Sequence, residues 1–245
     1  MASDLDLEHL EESLARVATQ LFRPGSVVET LQRIVALAEE TIDGCDGAGV
    51  FLARDGAVAT AAASSPLTDN LDRLQIEANE GPCLDASTRG ATFYAHDLAD
   101  DERWPRFGPQ AVAAGVRCVL SYALSAEQPS ALNLYAHLPA AFGATDRAQG
   151  QLFATLARLA LESAQERAAD DQRAANLTDA LRTREVIGQA QGILMERERI
   201  TADQAFEVLR RASQRMNVKL RSVAETLVET GESPDGPSQS GGVRG

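Results

Sequence analysis

The chain has 245 residues, 44% of them hydrophobic, and a formal net charge of −13 at pH 7. That length suits one large domain or two small ones, and that composition is globular. No run of apolar residues reaches the roughly eighteen needed to cross a bilayer, which excludes a helical membrane protein. The three cysteines, Cys45, Cys83 and Cys118, are far apart and odd in number. They suggest neither a zinc site nor a disulfide framework, and they suit a reducing, cytoplasmic setting.

Residues 1–25 read as an N-terminal helix, with Leu5, Leu7, Leu10, Leu14, Val17 and Leu21 on one face and a break at Pro24-Gly25. This segment is acidic and has no basic start before an apolar run, so it does not read as a signal peptide. Ser26 is placed to cap a second helix with Val27, Leu31, Ile34, Val35, Ala38 and Ile42 inward. Gly47 to Ala53 and Ala57 to Ala63 flank Asp55-Gly56, the pattern of a hairpin. Residues 64–82 mix turn formers with a short apolar pattern at Leu71, Leu74 and Ile76. Thr92 to Ala95, Arg117 to Ala126 and Ser130 to His137 read as strands, the last two joined through Glu127-Gln128-Pro129. From Asp146 the period turns helical through Leu152, Phe153, Leu156, Leu159 and Ala160. Helices at both ends of a mainly antiparallel sheet predict an α+β sandwich.

The helical pattern then passes through a polar stretch. Continuing the seven-residue register from Leu152, Leu156 and Leu159 meets Ser163, Glu166, Asp170 and Arg173 before Leu177 and Ala180. Residues 165–180 therefore read as a connecting helix and a marginal two-stranded coiled coil.

Leu181 to Gly231 reads as an all-α module of three short amphipathic helices. Val186, Ile187, Ala190, Ile193 and Leu194 mark the first apolar stripe, and Leu220, Val223, Ala224 and Leu227 the third, closed by Gly231. Between them, Thr201 and Gln204 form a capping box, and Phe206, Leu209, Ser213 and Met216 recur at the spacing of a buried face. Gly188 and Gly192 form a G-x-x-x-G expected to serve close helix packing. The module holds nine Lys and Arg against seven Asp and Glu, whereas residues 1–180 hold 13 against 27. Arg210, Arg211, Arg215, Lys219 and Arg221 fall within twelve residues that contain no acid. A basic patch kept on an acidic chain suits a polyanionic partner, although a solvated helix face has the same composition. Residues 232–245 have too few apolar groups to order and read as a flexible tail.

Two resemblances add to this reading. Arg184-Glu185-Val186-Ile187-Gly188-Gln189-Ala190-Gln191-Gly192-Ile193-Leu194-Met195, then Ala205-Phe206-x-x-Leu209-Arg210-x-x-Ser213-Gln214 and Asn217-x-Lys219-Leu220-x-x-Val223-Ala224, resemble an ANTAR domain. That resemblance implies binding of paired RNA stem-loops in nascent transcripts, which prevents premature termination. Gln191 stands where the family usually has Lys, removing one charge from the implied RNA face. The second resemblance covers roughly 26–164. Glu80-Gly81-Pro82-Cys83-Leu84-Asp85-Ala86, Asp97-Leu98 with Asp101-x-Arg103-Trp104-Pro105-Arg106-Phe107, Gly115-Val116-Arg117-x-Val119-Leu120-Ser121 and Ala131-Leu132-Asn133-Leu134-Tyr135 resemble a GAF domain of the kind that precedes ANTAR modules in actinobacterial regulators. GAF domains are sensory and dimerising modules, so the resemblance implies sensor, connecting helix and RNA-binding effector, with a small-molecule effector it does not name.

On these grounds Arg184, Gln191, Arg210, Arg211, Arg215 and Lys219 are the candidate RNA contacts, with Ser213 in support. Arg211 and Arg215 lie four apart on one helix face, and Arg210 has Glu207 within reach as an alternative partner. Cys83 and Trp104 are the candidate residues of the sensor pocket. Cys83 follows Gly81-Pro82 at a predicted helix start, where a thiol can be activated, but a small buried side chain in a tight turn is the better fit. His96 and His137 lack the spacing of a metal pair, and no metal or cofactor is expected. Neither a phosphate-binding glycine loop, a G-x-S-x-G motif nor a histidine beside a nucleophile is present, so the chain does not read as an enzyme. The expected protein is a cytoplasmic, dimeric, RNA-binding antitermination regulator. The competing expectation is a redox or small-molecule sensor whose C-terminal helices contact a protein.

Overall fold

A computed structural model describes residues 2–54, 57–125 and 129–232, with side chains over 12–52, 59–125 and 129–232. The Asp55-Gly56 turn, Glu127-Gln128, the side chains of Leu5, Leu7 and Leu10 and the tail beyond 232 lie outside the described residues. The chain divides into two compact units, Met1–Ala168 and Ala169–Gly245.

The first unit is built on a five-stranded antiparallel sheet. Its strands are β1 (Gly47–Arg54), β2 (Ala57–Ala63), β3 (Phe93–Ala95), β4 (Cys118–Ser125) and β5 (Ser130–Ala136), in the order β2-β1-β5-β4-β3. Central β5 is buried along its whole length, as a strand covered on both faces must be. The two-residue alternation sends Leu132, Leu134 and Ala136 to one face with Val50, Leu120 and Tyr122. There they meet α1 (Ala2–Leu21), α2 (Val27–Thr41) and the start of α6 (Ala144–Glu198) through Val17, Leu21, Ile34, Ala38, Phe153 and Ala157. Ser26 caps α2 in a full capping box: its Oγ accepts from the Glu29 N–H at 3.2 Å, and Glu29 Oε2 accepts from the Ser26 N–H at 2.7 Å.

The opposite face carries Phe51, Ala131, Asn133, Tyr135, Val119 and Ser121, covered by α3 (Pro66–Ala78), α4 (Pro82–Arg89) and α5 (Phe107–Ala113). Helices α3 and α5 depart from the sequence reading, which had turn formers over the first and only a motif over the second. Ser65-Pro66 holds the missed signal for α3, an N-cap followed by proline at the first helical position. Helix α5 is a two-turn piece whose start is held by Glu80, which accepts from the N–H groups of Arg106 and of Phe107, the latter at 2.9 Å.

The second unit contains the end of α6, α7 (Ala202–Met216) and α8 (Leu220–Thr230). Helix α6 is continuous from Ala144 to Glu198, so the expected first short helix of the module is the last part of a 55-residue helix. The chain leaves it through Arg199 at φ 56°, and Thr201 with Gln204 forms the predicted capping box on α7. Asn217 and Gly231 close α7 and α8 in the left-handed conformation. Ala190, Leu194, Ala205, Val208, Leu209, Ala212, Val223, Ala224 and Leu227 form the core.

Within that core the expected inner face of α7 is corrected. Leu209 is fully buried, but Phe206 is 37% exposed and Met216 46% exposed. The packing stripe runs through Ala205, Val208, Leu209 and Ala212, because small alanines let the helices approach closely and rotate the larger Phe206 to the flank. Gly188 and Gly192 are corrected as well. A side chain added at either would meet nothing within 4 Å, so neither glycine serves close packing within this chain.

Candidate nucleic-acid interface

Residues 210 and 211 differ by about 100° around a helix axis, so the basic residues of α7 divide between two flanks. Phe206, Arg210, Ser213 and Asn217 follow three- and four-residue steps along one flank, while Arg211 and Arg215 follow a four-residue step along the other. The sequence reading put Arg211 and Arg215 on one face and offered Glu207 as a partner for Arg210, and the helix places Arg210 on the other flank.

On the first flank, Arg210 is held by Glu207. Its Nε lies 3.0 Å from both carboxylate oxygens and its Nη2 lies 2.6 Å from Oε2. The guanidinium keeps the Glu207 carboxyl below its usual range and is itself raised. Ser213 donates to the Val218 carbonyl at 2.6 Å, while the Val218 N–H donates back to the Ser213 carbonyl at 3.1 Å. That reciprocal pair fixes the turn into α8. Asn217 is exposed at the helix end.

On the second flank, Arg211 borders an open groove of about 420 Å³ lined also by Glu198, Ile200, Asp203, Gln204, Glu207 and Val208. Three carboxylates beside one arginine make that groove a poor seat for phosphate. Arg211 Nε donates to the Glu207 carbonyl at 3.3 Å. Arg215 and Lys219 are exposed, and Lys219 occupies the N-cap position of α8 without a side-chain cap bond.

Two of the polar residues on α6 take different roles. Gln191 donates to the Ala202 carbonyl at 3.0 Å, tying α6 to the first turn of α7, whereas Arg184 is exposed. Arg221 bridges Asp179 and Glu225, the latter at 2.8 Å, and Arg197 donates to the Gly231 carbonyl. These two arginines fasten α8 to α6 at both ends.

In the first unit, both candidate pocket residues are buried. Cys83 packs with Phe51, Ala86 and Ala131, and burial pushes its thiol well above the ordinary range, with the Asp72 carboxyl adding to the effect. Burial likewise pushes Cys45 up to about 12 and raises Cys118. Desolvation outweighs the helix start, so Cys83 is the small buried side chain that the sequence reading preferred over an activated thiol. Trp104 donates from Nε1 to Asp85 Oδ2 at 2.9 Å, and the Arg103 guanidinium lies 4.3 Å from its ring centre. His137 Nδ1 sits 2.8 Å from the Gly115 carbonyl oxygen. Among the described residues, no cluster of His, Cys, Asp and Glu suits a metal ion.

The same side of the sheet holds a buried polar network that the sequence reading missed. Asp72 Oδ1 accepts from Asn133 Nδ2 at 2.9 Å and from the Tyr135 hydroxyl. Gln75 donates to that hydroxyl at 2.8 Å and accepts from the Cys83 N–H at 2.9 Å. Burial pushes the Asp72 carboxyl up to about 7 against the opposing hydrogen bonds from Tyr135 and Asn133. Among the described residues Asp72 Oδ2, Asn133 Oδ1 and Ser121 Oγ make no hydrogen bond.

Comparison with known proteins fits this geometry. A GAF domain model matches residues 25–162, and an ANTAR domain model matches residues 175–228. The first unit is similar to a free methionine-R-sulfoxide reductase from Neisseria meningitidis, with a TM-score of 0.53 and 18% identity over 64% of this chain and 90% of that one. It is also similar to the GAF domain of a phosphoenolpyruvate-protein phosphotransferase from Coxiella burnetii, with a TM-score of 0.51 and 14% identity over 65% and 96% of the two chains. At such identities the likeness shows the fold alone. No curated protein matches the chain. Among the described residues, no helix is long and apolar enough to cross a membrane. The chain belongs to the GAF family and carries an ANTAR domain behind its GAF domain, the arrangement of a GAF–ANTAR regulator.

Proposed function

We propose that this protein is a cytoplasmic, non-enzymatic, signal-responsive regulator that binds paired RNA stem-loops in nascent transcripts and promotes transcription past a terminator. The sensor spans 26–164 behind an N-terminal helix (1–25), the connector 165–180, and the effector 181–231 before a tail at 232–245. The observation that carries this reading is the ANTAR match over a three-helix module with arginines on both flanks of α7. Arg184, Arg210, Arg211, Arg215 and Lys219 supply charge to the RNA face. Gln191 and Ser213 hold that face in shape, through the Ala202 and Val218 carbonyls. The protein acts as a homodimer, a reading supported by exposed Leu152, Leu159, Leu177 and Leu181 along α6. Two effectors in one dimer engage two loops of one RNA with raised effective concentration. The sensor takes a small-molecule effector on the side of the sheet that carries Cys83 and Trp104. Buried Cys83 and Cys118 and half-buried Cys45, all with raised thiol values, speak against a thiol-redox signal.

The test is fluorescence anisotropy of the full chain with a twin stem-loop RNA, a single stem-loop and duplex DNA across a salt series. Tight, salt-dependent binding that prefers the twin RNA supports the reading. Equal, weak binding to all three overturns it in favour of nonspecific phosphate attraction or a protein partner.

A further inference from the structure

Phe206 stands on the flank of α7 and not in the core. At 37% exposure it is, with Phe22, one of two Phe, Tyr or Trp side chains exposed among the described residues. The core of its module is complete without it, since Ala205, Val208, Leu209 and Ala212 supply the packing face of α7. One turn further along the same flank lies Arg210, whose guanidinium Glu207 holds in place, and beyond it Ser213 and Asn217. An exposed aromatic ring followed by a fixed guanidinium and an exposed amide has the composition that reads single-stranded bases, which stack on rings and bond through their edges. The opposite flank, which carries Arg211 and Arg215, has no aromatic residue, and Glu198 and Asp203 line its groove beside Arg211.

We propose that Phe206 is the base-stacking residue of the RNA interface, with an unpaired loop base lying on its ring and Arg210 beside it on the same flank. This inference rests on the RNA-binding reading above and goes further by assigning one flank of α7 and one chemical group of the ligand. It commits to a nucleobase: phosphate has no affinity for an aromatic face, and the basic effector contrasts with an acidic remainder of the chain.

The experiment measures anisotropy of the full chain with the twin stem-loop RNA and with the same RNA carrying abasic nucleotides in its loops. The native protein is expected to lose about ten-fold or more in affinity when the loop bases are removed, the scale of one base–aromatic stack. Phe206→Ala is expected to bind the intact RNA as weakly as native protein binds the abasic RNA, with an unchanged salt slope. Phe206→Tyr keeps the ring and retains binding, whereas Phe206→Leu keeps apolar area without the ring and loses it. Circular dichroism melts confirm that each variant folds. Native-like binding by Phe206→Ala, or equal rescue by leucine and tyrosine, overturns the inference while leaving RNA binding intact. Failure of the native protein to bind any RNA overturns both.

Discussion

Glu207 grips Arg210 from one turn earlier on α7, with the Arg210 Nη2 2.6 Å from its Oε2. The contact holds the guanidinium on the flank that carries Phe206 while cancelling much of its charge. Replacing Glu207 with Gln keeps a hydrogen-bond acceptor and removes the negative charge. The salt slope of RNA binding is then expected to steepen by up to about one, because Arg210 becomes available to a phosphate. The melting temperature should stay unchanged, since the pair is exposed.

Lys219 and Arg211 separate on electrostatic grounds. Lys219→Ala should weaken RNA binding and flatten its salt slope by about one. Arg211→Ala should have the smaller effect, because Glu198, Asp203 and Glu207 share its groove. Equal losses at both positions in a side-by-side salt titration would place RNA across the acidic flank instead.

Asp72 makes the stability of the first unit depend on pH. Its folded carboxyl titrates near 7 against an ordinary 3.8, so the folded state keeps the proton to higher pH than the unfolded chain. Stability from this group is therefore present at low pH and falls as pH rises from about 4 to about 7, by on the order of a few kcal/mol. Asp72→Asn retains an acceptor for Tyr135 and Asn133 and cannot ionise. Urea melts of that variant at pH 5 and pH 7 should differ less than those of the native protein.

The three cysteines should resist modification in the folded state. Burial raises each thiol, Cys45 to about 12, so the reactive thiolate is scarce at neutral pH. A thiol-reactive disulfide reagent at pH 7.5 should label the native protein slowly and all three positions rapidly in denaturant. Fast labelling of Cys83 in native protein would return a redox signal to the sensor.

Local signals explain what was legible in the chain. Ser26 with Glu29 and Thr201 with Gln204 are capping boxes whose bonds close within a single turn, so spacing alone reveals them. The strands were legible as short runs bounded by turn residues, and the family motifs lie in short local stretches of the chain. Helix α3 escaped because its inner face includes the polar residues Asp72 and Gln75, which break the apolar period. The basic residues of α7 were legible as a set, but their division between two flanks was not.

By itself the sequence determined the α+β sensor and the helical module behind it, because helix and strand periods and caps are local properties of the chain. Only the tertiary structure decided which side of each helix faces inward. Alanines at 205 and 212 draw the helices together and turn Phe206 outward, and the Asn133, Tyr135 and Asp72 side chains meet across about sixty positions of sequence. Contacts of that kind depend on side-chain volume and long-range closure, which no local pattern encodes.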